Sequence, residues 1–182
     1  MPKRPTLDLS EVLSHVGLTR EYPIDVPAIV EDPLYGVDAV RGSIRLTNSG
    51  SALIVAGRVD TVVQLECCRC LAPMVEAIGA DIDEQFVLTP SRSRRSPAAV
   101  EEEETELSGR LFHGAILDLA ELLRQVLTPI LPSRPLHSAD CLGLCSQCGK
   151  DLNEGPCGCL TASEASRSRL GTLLSELRDR SD

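Results

Sequence analysis

Aromatic side chains are nearly missing from this sequence of 182 residues: it has no tryptophan, and two tyrosines and two phenylalanines make up 2% of it. Val, Leu, Ile and Ala must therefore fill any core, drawn from a hydrophobic content of 42%. A core of small aliphatics in a chain of one-domain length gains from a cross-link or a bound ion. No run approaches the ~18 consecutive apolar residues of a membrane helix. The basic start, Met1-Pro2-Lys3-Arg4-Pro5, has no apolar stretch behind it, so no secretory leader is expected and the cytoplasm is the expected compartment. Positive charge is scarce as well, with 18 Lys and Arg against 27 Asp and Glu and a net charge of −9. Affinity for phosphate backbone follows Lys and Arg contacts, so coating of bare RNA or DNA is disfavoured. Catalytic signatures are also absent: there is no glycine-rich phosphate loop, no nucleophile elbow and no His-Glu-x-x-His. His15 and His113 sit in ordinary contexts and no carboxylates pair at a defined spacing. A protein that is not an enzyme, and has no small-molecule substrate, is expected.

Cysteine is what the sequence has in excess. Its eight cysteines fall in two bursts, Cys67–Cys70 and Cys141–Cys159. The second reads His137-x3-Cys141-x3-Cys145-x2-Cys148-x8-Cys157-x-Cys159. Without a secretory leader, this density favours reduced thiolates over disulfides. Thiolates two to four residues apart can ring one tetrahedral zinc, whose Zn–S bonds are ~2.3 Å. Cys145, Cys148, Cys157 and Cys159 read as one such site, with Gly149, Gly155 and Gly158 letting the backbone double back. A redox role for Cys145-x2-Cys148 lacks the βαβ setting it needs. Cys67 with Cys70, and His137 with Cys141, are each half a site, and together they complete a second one. Cys68 faces away by strand alternation and is left out. Both sites are saturated by protein ligands, so two structural Zn2+ ions are expected, with no open position for catalysis. Seven thiolates and two such ions would take the formal charge from −9 to about −12.

Along the chain, residues 6–20 start extended and turn into a short helix near Ser10 that Gly17 ends. From Val37 to Leu88 the pattern is β. Val40, Ile44 and Leu46 share a face of one strand, Asn48-Ser49-Gly50 is a turn, and Val55, Val59, Val63 and Leu65 mark a long second strand. After the cysteine knuckle a third strand carries Met74, Ile78, Ile82, Phe86 and Leu88. Residues 89–109, with Arg92, Arg94, Arg95 and the acidic run Glu101–Glu104, read as a flexible charged linker. Asp118 then caps a helix, with Glu121 as its capping-box partner, Leu119, Leu122, Leu123 and Val126 as its stripe, and Pro129 and Pro132 ending it. A last helix starts near Thr161 or Ser163 and carries Leu170, Leu173, Leu174 and Leu177. The fold class expected is α+β: an antiparallel β meander with flanking helices and a C-terminal zinc-knuckle segment. Its parts are 1–88 with the Cys67/Cys70 knuckle, the linker 89–109, and 110–182 packing with 1–88 as one domain.

Several stretches together resemble the bacterial and plastid YceD family. They are Leu65-Glu66-Cys67-Cys68-Arg69-Cys70-Leu71, Asp118-Leu119, Leu131-Pro132, Pro135-Leu136-His137-Ser138-Ala139-Asp140-Cys141 and Gly143-Leu144-Cys145-Ser146-Gln147-Cys148-Gly149-Lys150-Asp151-Leu152-Asn153. Leu7-Asp8-Leu9-Ser10 and the final Arg169-Leu170 also fit. The resemblance implies a non-enzymatic factor in 23S rRNA accumulation and large-subunit assembly, with rRNA or a pre-ribosomal particle as partner. The chain's acidity points to contact through a basic protein. Two other readings compete: a zinc-ribbon nucleic-acid binder acting in transcription, and a thiol redox or zinc-dependent enzyme. The first should surround its knuckles with cations, yet residues 137–160 contain only Lys150.

Overall fold

A computed structural model describes residues 4–89, 98–100 and 111–159. The chain divides into two units, one formed by residues 1–66 and 73–135 and the other by 67–72 and 136–182. The first unit opens with strand β1 (Thr6–Asp8) and the short helix α1 (Ser10–Ser14). Asp8 Oδ1 accepts the Ser10 N–H at 2.9 Å, and Gly17, at φ +84°, turns the chain into β2 (Thr19–Val26). A small hairpin, β3 (Val30–Glu31) and β4 (Leu34–Tyr35), leads to β5 (Val40–Asn48), β6 (Ala52–Glu66) and β7 (Pro73–Thr89). Then come β8 (Ala99–Val100), β9 (Phe112–His113), β10 (Ile116–Asp118) and helix α2 (Leu119–Leu127).

Five strands form one antiparallel sheet in the order β2-β5-β6-β7-β8, and β1, β10 and β9 form a second, three-stranded one. Side chains alternate across each strand, which puts the expected apolar sets on one face. Val40, Ile44 and Leu46 of β5, Leu53, Val55, Val59 and Val63 of β6, and Ile78, Ala80, Ile82 and Leu88 of β7 are all buried in one core. Helix α2 adds Leu119, Leu122, Leu123 and Leu127 to that core, while Val126 is half-buried. The two phenylalanines meet there edge-on, Phe86 and Phe112 having ring centroids 4.8 Å apart. Asp118 caps α2 by accepting the Glu121 N–H at 3.1 Å. A 3-10 turn at Thr128–Ile130, with Pro129 in its first positions, ends it. Asn48 is the polar residue most deeply set in the sheet. Its amide donates to the Val12 and Leu13 carbonyls at 2.9 and 3.3 Å, and its Oδ1 accepts the Gly50 N–H at 2.8 Å.

The sheet is larger than the meander the sequence suggests. Strand β2 was hidden by Pro23, which argues against a central strand; β2 is an edge strand, where a missing N–H is tolerated. Ala99 and Val100, inside the stretch read as linker, pair with Thr89 and Leu88. Among the described residues α1 and α2 are the α-helices, so the unit is sheet-dominated and only in part an α+β fold with flanking helices. The helix expected beyond Thr161 lies outside the described residues, as do 90–97 and 101–110 of the expected linker. No described helix is long and apolar enough to cross a membrane.

Candidate metal centres

The second unit is built around two turns of the same design. In the first, the Cys67 N–H donates to the Ala72 carbonyl and the Leu71 N–H to the Cys67 carbonyl, both at 2.9 Å. In the second, the Cys145 N–H donates to the Lys150 carbonyl at 2.8 Å and the Gly149 N–H to the Cys145 carbonyl at 2.9 Å. The residue after the second cysteine takes a left-handed backbone in both: Leu71 at φ +62° and Gly149 at φ +73°. These are two copies of one Cys-x2-Cys knuckle, each presenting both sulfurs on one side.

Each knuckle meets a second pair of donors. Cys67 and Cys70 gather with His137 and Cys141, and Cys145 and Cys148 gather with Cys157 and Cys159; within each set the donor atoms lie within 4.8 Å of one another. Cys67 Sγ is 3.7 Å from Cys141 Sγ, and Cys70 Sγ is 3.2 Å from His137 Nδ1. Cys145 Sγ and Cys157 Sγ are 3.3 Å apart. Two sulfurs on one tetrahedral zinc stand about 3.8 Å apart, given Zn–S bonds of ~2.3 Å, whereas a disulfide would need ~2.05 Å. The spacing and the sulfur-rich donor chemistry both fit a thiophilic ion such as zinc. Cys67, Cys70 and Cys141 are buried with Ala72, Leu136 and Leu144 packed on them, while His137 is exposed. The four-cysteine set is more open. Cys68 is exposed and belongs to neither set.

Charge is shared unevenly within each set. Burial pushes the Cys67 thiol up, but the backbone N–H groups of His137, Cys70 and Arg69 and the His137 ring outweigh it and bring it down to about 5. At Cys70 the Ala72 N–H lowers the thiol, yet burial and the neighbouring Cys67 and Cys141 sulfurs carry it to about 11. Cys145 falls to about 6 under the Cys148 and Gln147 N–H groups. Cys159 is pushed up to about 12 by the crowding sulfurs of Cys148 and Cys157. Four sulfurs this close cannot all ionise without a counter-charge, and a dication is the counter-charge that would let them.

Two further residues organise the sets; both lie in the quoted motifs, but the sequence pattern gave neither a role. Arg69 Nη1 donates to the Cys141 carbonyl at 2.8 Å, and its own carbonyl accepts the Leu144 N–H at 3.0 Å. Asn153 Nδ2 reaches Cys141 Sγ at 3.5 Å while Asn153 Oδ1 accepts the Leu142 N–H at 2.8 Å. Arg69 carried a signal, lying inside the first knuckle; a side chain reaching back across the loop carries none.

Residues 55–174 match the family described as the large ribosomal RNA subunit accumulation protein YceD, a match that spans both ligand sets. The chain belongs to the YceD family. Among curated proteins, this chain is 30% identical over 113 residues to uncharacterized proteins of Mycobacterium bovis and Mycobacterium tuberculosis, covering 62% of this chain and 51% of each relative. An uncharacterized protein of Mycobacterium leprae is 28% identical over 109 residues, 60% of this chain and 47% of that one. The chain thus spans about half the length of the curated relatives it matches. No solved structure matches it significantly.

Proposed function

We propose that this protein is a non-catalytic factor in the accumulation of large-subunit ribosomal RNA, held in shape by two structural zinc ions. The family match across residues 55–174 carries this reading, because the matched stretch contains all eight donors. Cys67, Cys70, His137 and Cys141 would hold one ion, and Cys145, Cys148, Cys157 and Cys159 the other. A four-coordinate ion so held has no free position for water or substrate, which supports a bracing role. The partner is a pre-ribosomal particle met through a basic protein. Among the described residues near the centres, Lys150 and Arg69 are already engaged: Lys150 Nζ donates to the Pro156 carbonyl and Arg69 to the Cys141 carbonyl.

The test is a strain lacking the gene, complemented with the wild type or with Cys145→Ser/Cys148→Ser. Mature 23S rRNA and large subunits should fall relative to 16S rRNA and small subunits, and the wild type alone should restore them. A normal subunit ratio in the deletion strain on sucrose gradients would overturn the reading.

A further inference from the structure

We propose that Asn153 is a positioning residue shared by the two centres, through which filling the four-cysteine set strengthens metal binding by the Cys67/Cys70/His137/Cys141 set. The inference rests on the two-ion reading above and adds to it a coupling that closed, independent sites would not have.

The connection is built from the three residues between the centres, Leu142, Gly143 and Leu144. On one side they are held by the first knuckle, where the Leu144 N–H donates to the Arg69 carbonyl at 3.0 Å. A Cβ at Gly143 would come to 3.0 Å from that same carbonyl oxygen, a contact tight enough that the first knuckle would have to give way. On the other side they are held by the loop of the four-cysteine set. The Leu152 N–H donates to the Gly143 carbonyl at 2.9 Å, and Leu144 and Asp151 form an antiparallel bridge. Asn153 closes this bracket, its Oδ1 on the Leu142 N–H and its Nδ2 on Cys141 Sγ.

Asn153 is itself fixed by Asp151. The Asp151 carboxylate accepts the Asn153 N–H at 2.8 Å and its Nδ2 at 2.6 Å, capping the short turn Leu152–Glu154. That turn lies between Cys148 and Cys157, so an ion that joins those cysteines closes the loop and pins Asn153. The pinned amide then donates to a sulfur of the other centre. An N–H donated to a metal-bound thiolate disperses its charge and fixes its direction, as outer partners of metal ligands do. Coupling of this kind is reciprocal: each ion must raise the affinity for the other by the same factor.

The experiment uses the full chain and cadmium-113 or zinc as the probe, with chelator competition for affinity and cadmium NMR to separate the three-sulfur, one-nitrogen centre from the four-sulfur one. Wild type should bind two ions; failure to do so would overturn the zinc reading itself. Asn153→Ala should weaken the His137-containing centre about 10–100-fold in protein whose four-cysteine centre is filled, and by reciprocity the four-cysteine centre should lose the same coupling factor when the His137-containing centre is filled. Asn153→Asp keeps the acceptor for Leu142 but loses the donor to sulfur, so its cadmium signal from the His137-containing centre should shift and its affinity should fall as far. Cys157→Ser/Cys159→Ser should weaken the His137-containing centre, and Cys67→Ser should weaken the four-cysteine centre by a matching factor. Two ions bound by every Asn153 variant with wild-type affinities and signals would overturn the coupling while leaving the two-ion reading intact.

Discussion

Leu71 and Gly149 occupy the same station in two copies of one knuckle, and only one of them is glycine. A left-handed backbone costs a residue with a Cβ about 1–2 kcal/mol, and the exposed Leu71 side chain gains little packing in return. Leu71→Gly should therefore be neutral to slightly stabilising, since relief of strain is offset by about 0.5–1 kcal/mol of glycine's extra chain entropy. Gly149→Leu should cost about 1 kcal/mol or more in the same metal-loaded protein. Chelator-resistant fractions and urea midpoints of the pair would check this, and a large loss from Leu71→Gly would mean that its side chain contacts something. Asn48 gives a second test at this scale. Asn48→Ala removes a buried amide that bonds the Val12 and Leu13 carbonyls, leaving these with the longer bonds from the His15 and Ala98 N–H groups at 3.3 and 3.4 Å, for a cost of about 1–3 kcal/mol read from the urea midpoint. Neither residue was visible in advance. Asn48 reads as a turn residue beside Ser49 and Gly50, and its burial depends on α1, whose docking no local pattern encodes.

At the level of elements, the strands that carry a full alternation were legible. Strands β5, β6 and β7 follow from Val40, Ile44, Val55, Val59, Ile78 and Ile82, because period-two burial is a property of the strand alone. The Asp118 cap of α2 was legible too, since it accepts the Glu121 N–H one turn on, but the Glu121 carboxylate takes Arg124 and Gln125 while the Asp118 N–H donates to the Leu111 carbonyl, so the expected capping box is closed from one side. What escaped are pairings with distant partners. The start of the chain reads as extended, but three residues cannot announce that Thr6 pairs with Asp118. The ligand sets lie between these extremes. Spacing supplied the pairs, and the fold brings the expected fours together, while their joint occupancy by metal is the proposal. The two centres differ in what they cross-link, and so should their loss. Cys70 and His137 are 67 residues apart in sequence, whereas Cys145 and Cys157 are only 12 apart. A cross-link over the longer loop removes more freedom from the unfolded chain. In zinc-loaded protein, Cys70→Ala should therefore lower the melting temperature more than Cys148→Ala. Equal, small shifts in a thermal melt would contradict the assignment of Cys70 to a long-range centre.

For the molecule as a whole, the acidic surplus is the property that partners meet first. A net charge of −9, which two bound zinc ions would make more negative, favours few phosphate contacts, and the salt slope of binding counts such contacts. Isolated protein should bind naked large-subunit rRNA weakly and with a shallow salt dependence, and binding should strengthen when a basic ribosomal protein is added. Filter binding across a salt series checks this, and tight, steeply salt-dependent binding by the protein alone would refute it. The split ligand set also has a consequence in time. Ribosomes extend a chain by ~5–20 residues per second, so the 67 residues between Cys70 and His137 take roughly 3–13 seconds to appear. Through that interval the first knuckle exists as an open two-sulfur bite on a nascent chain. Asn153 follows Cys141 by 12 residues, roughly 0.6–2.4 seconds later. The nascent protein thus has a vulnerable period set by its own connectivity, during which a nearby reductant or a transient metal donor decides whether those thiols are still intact when their partners arrive.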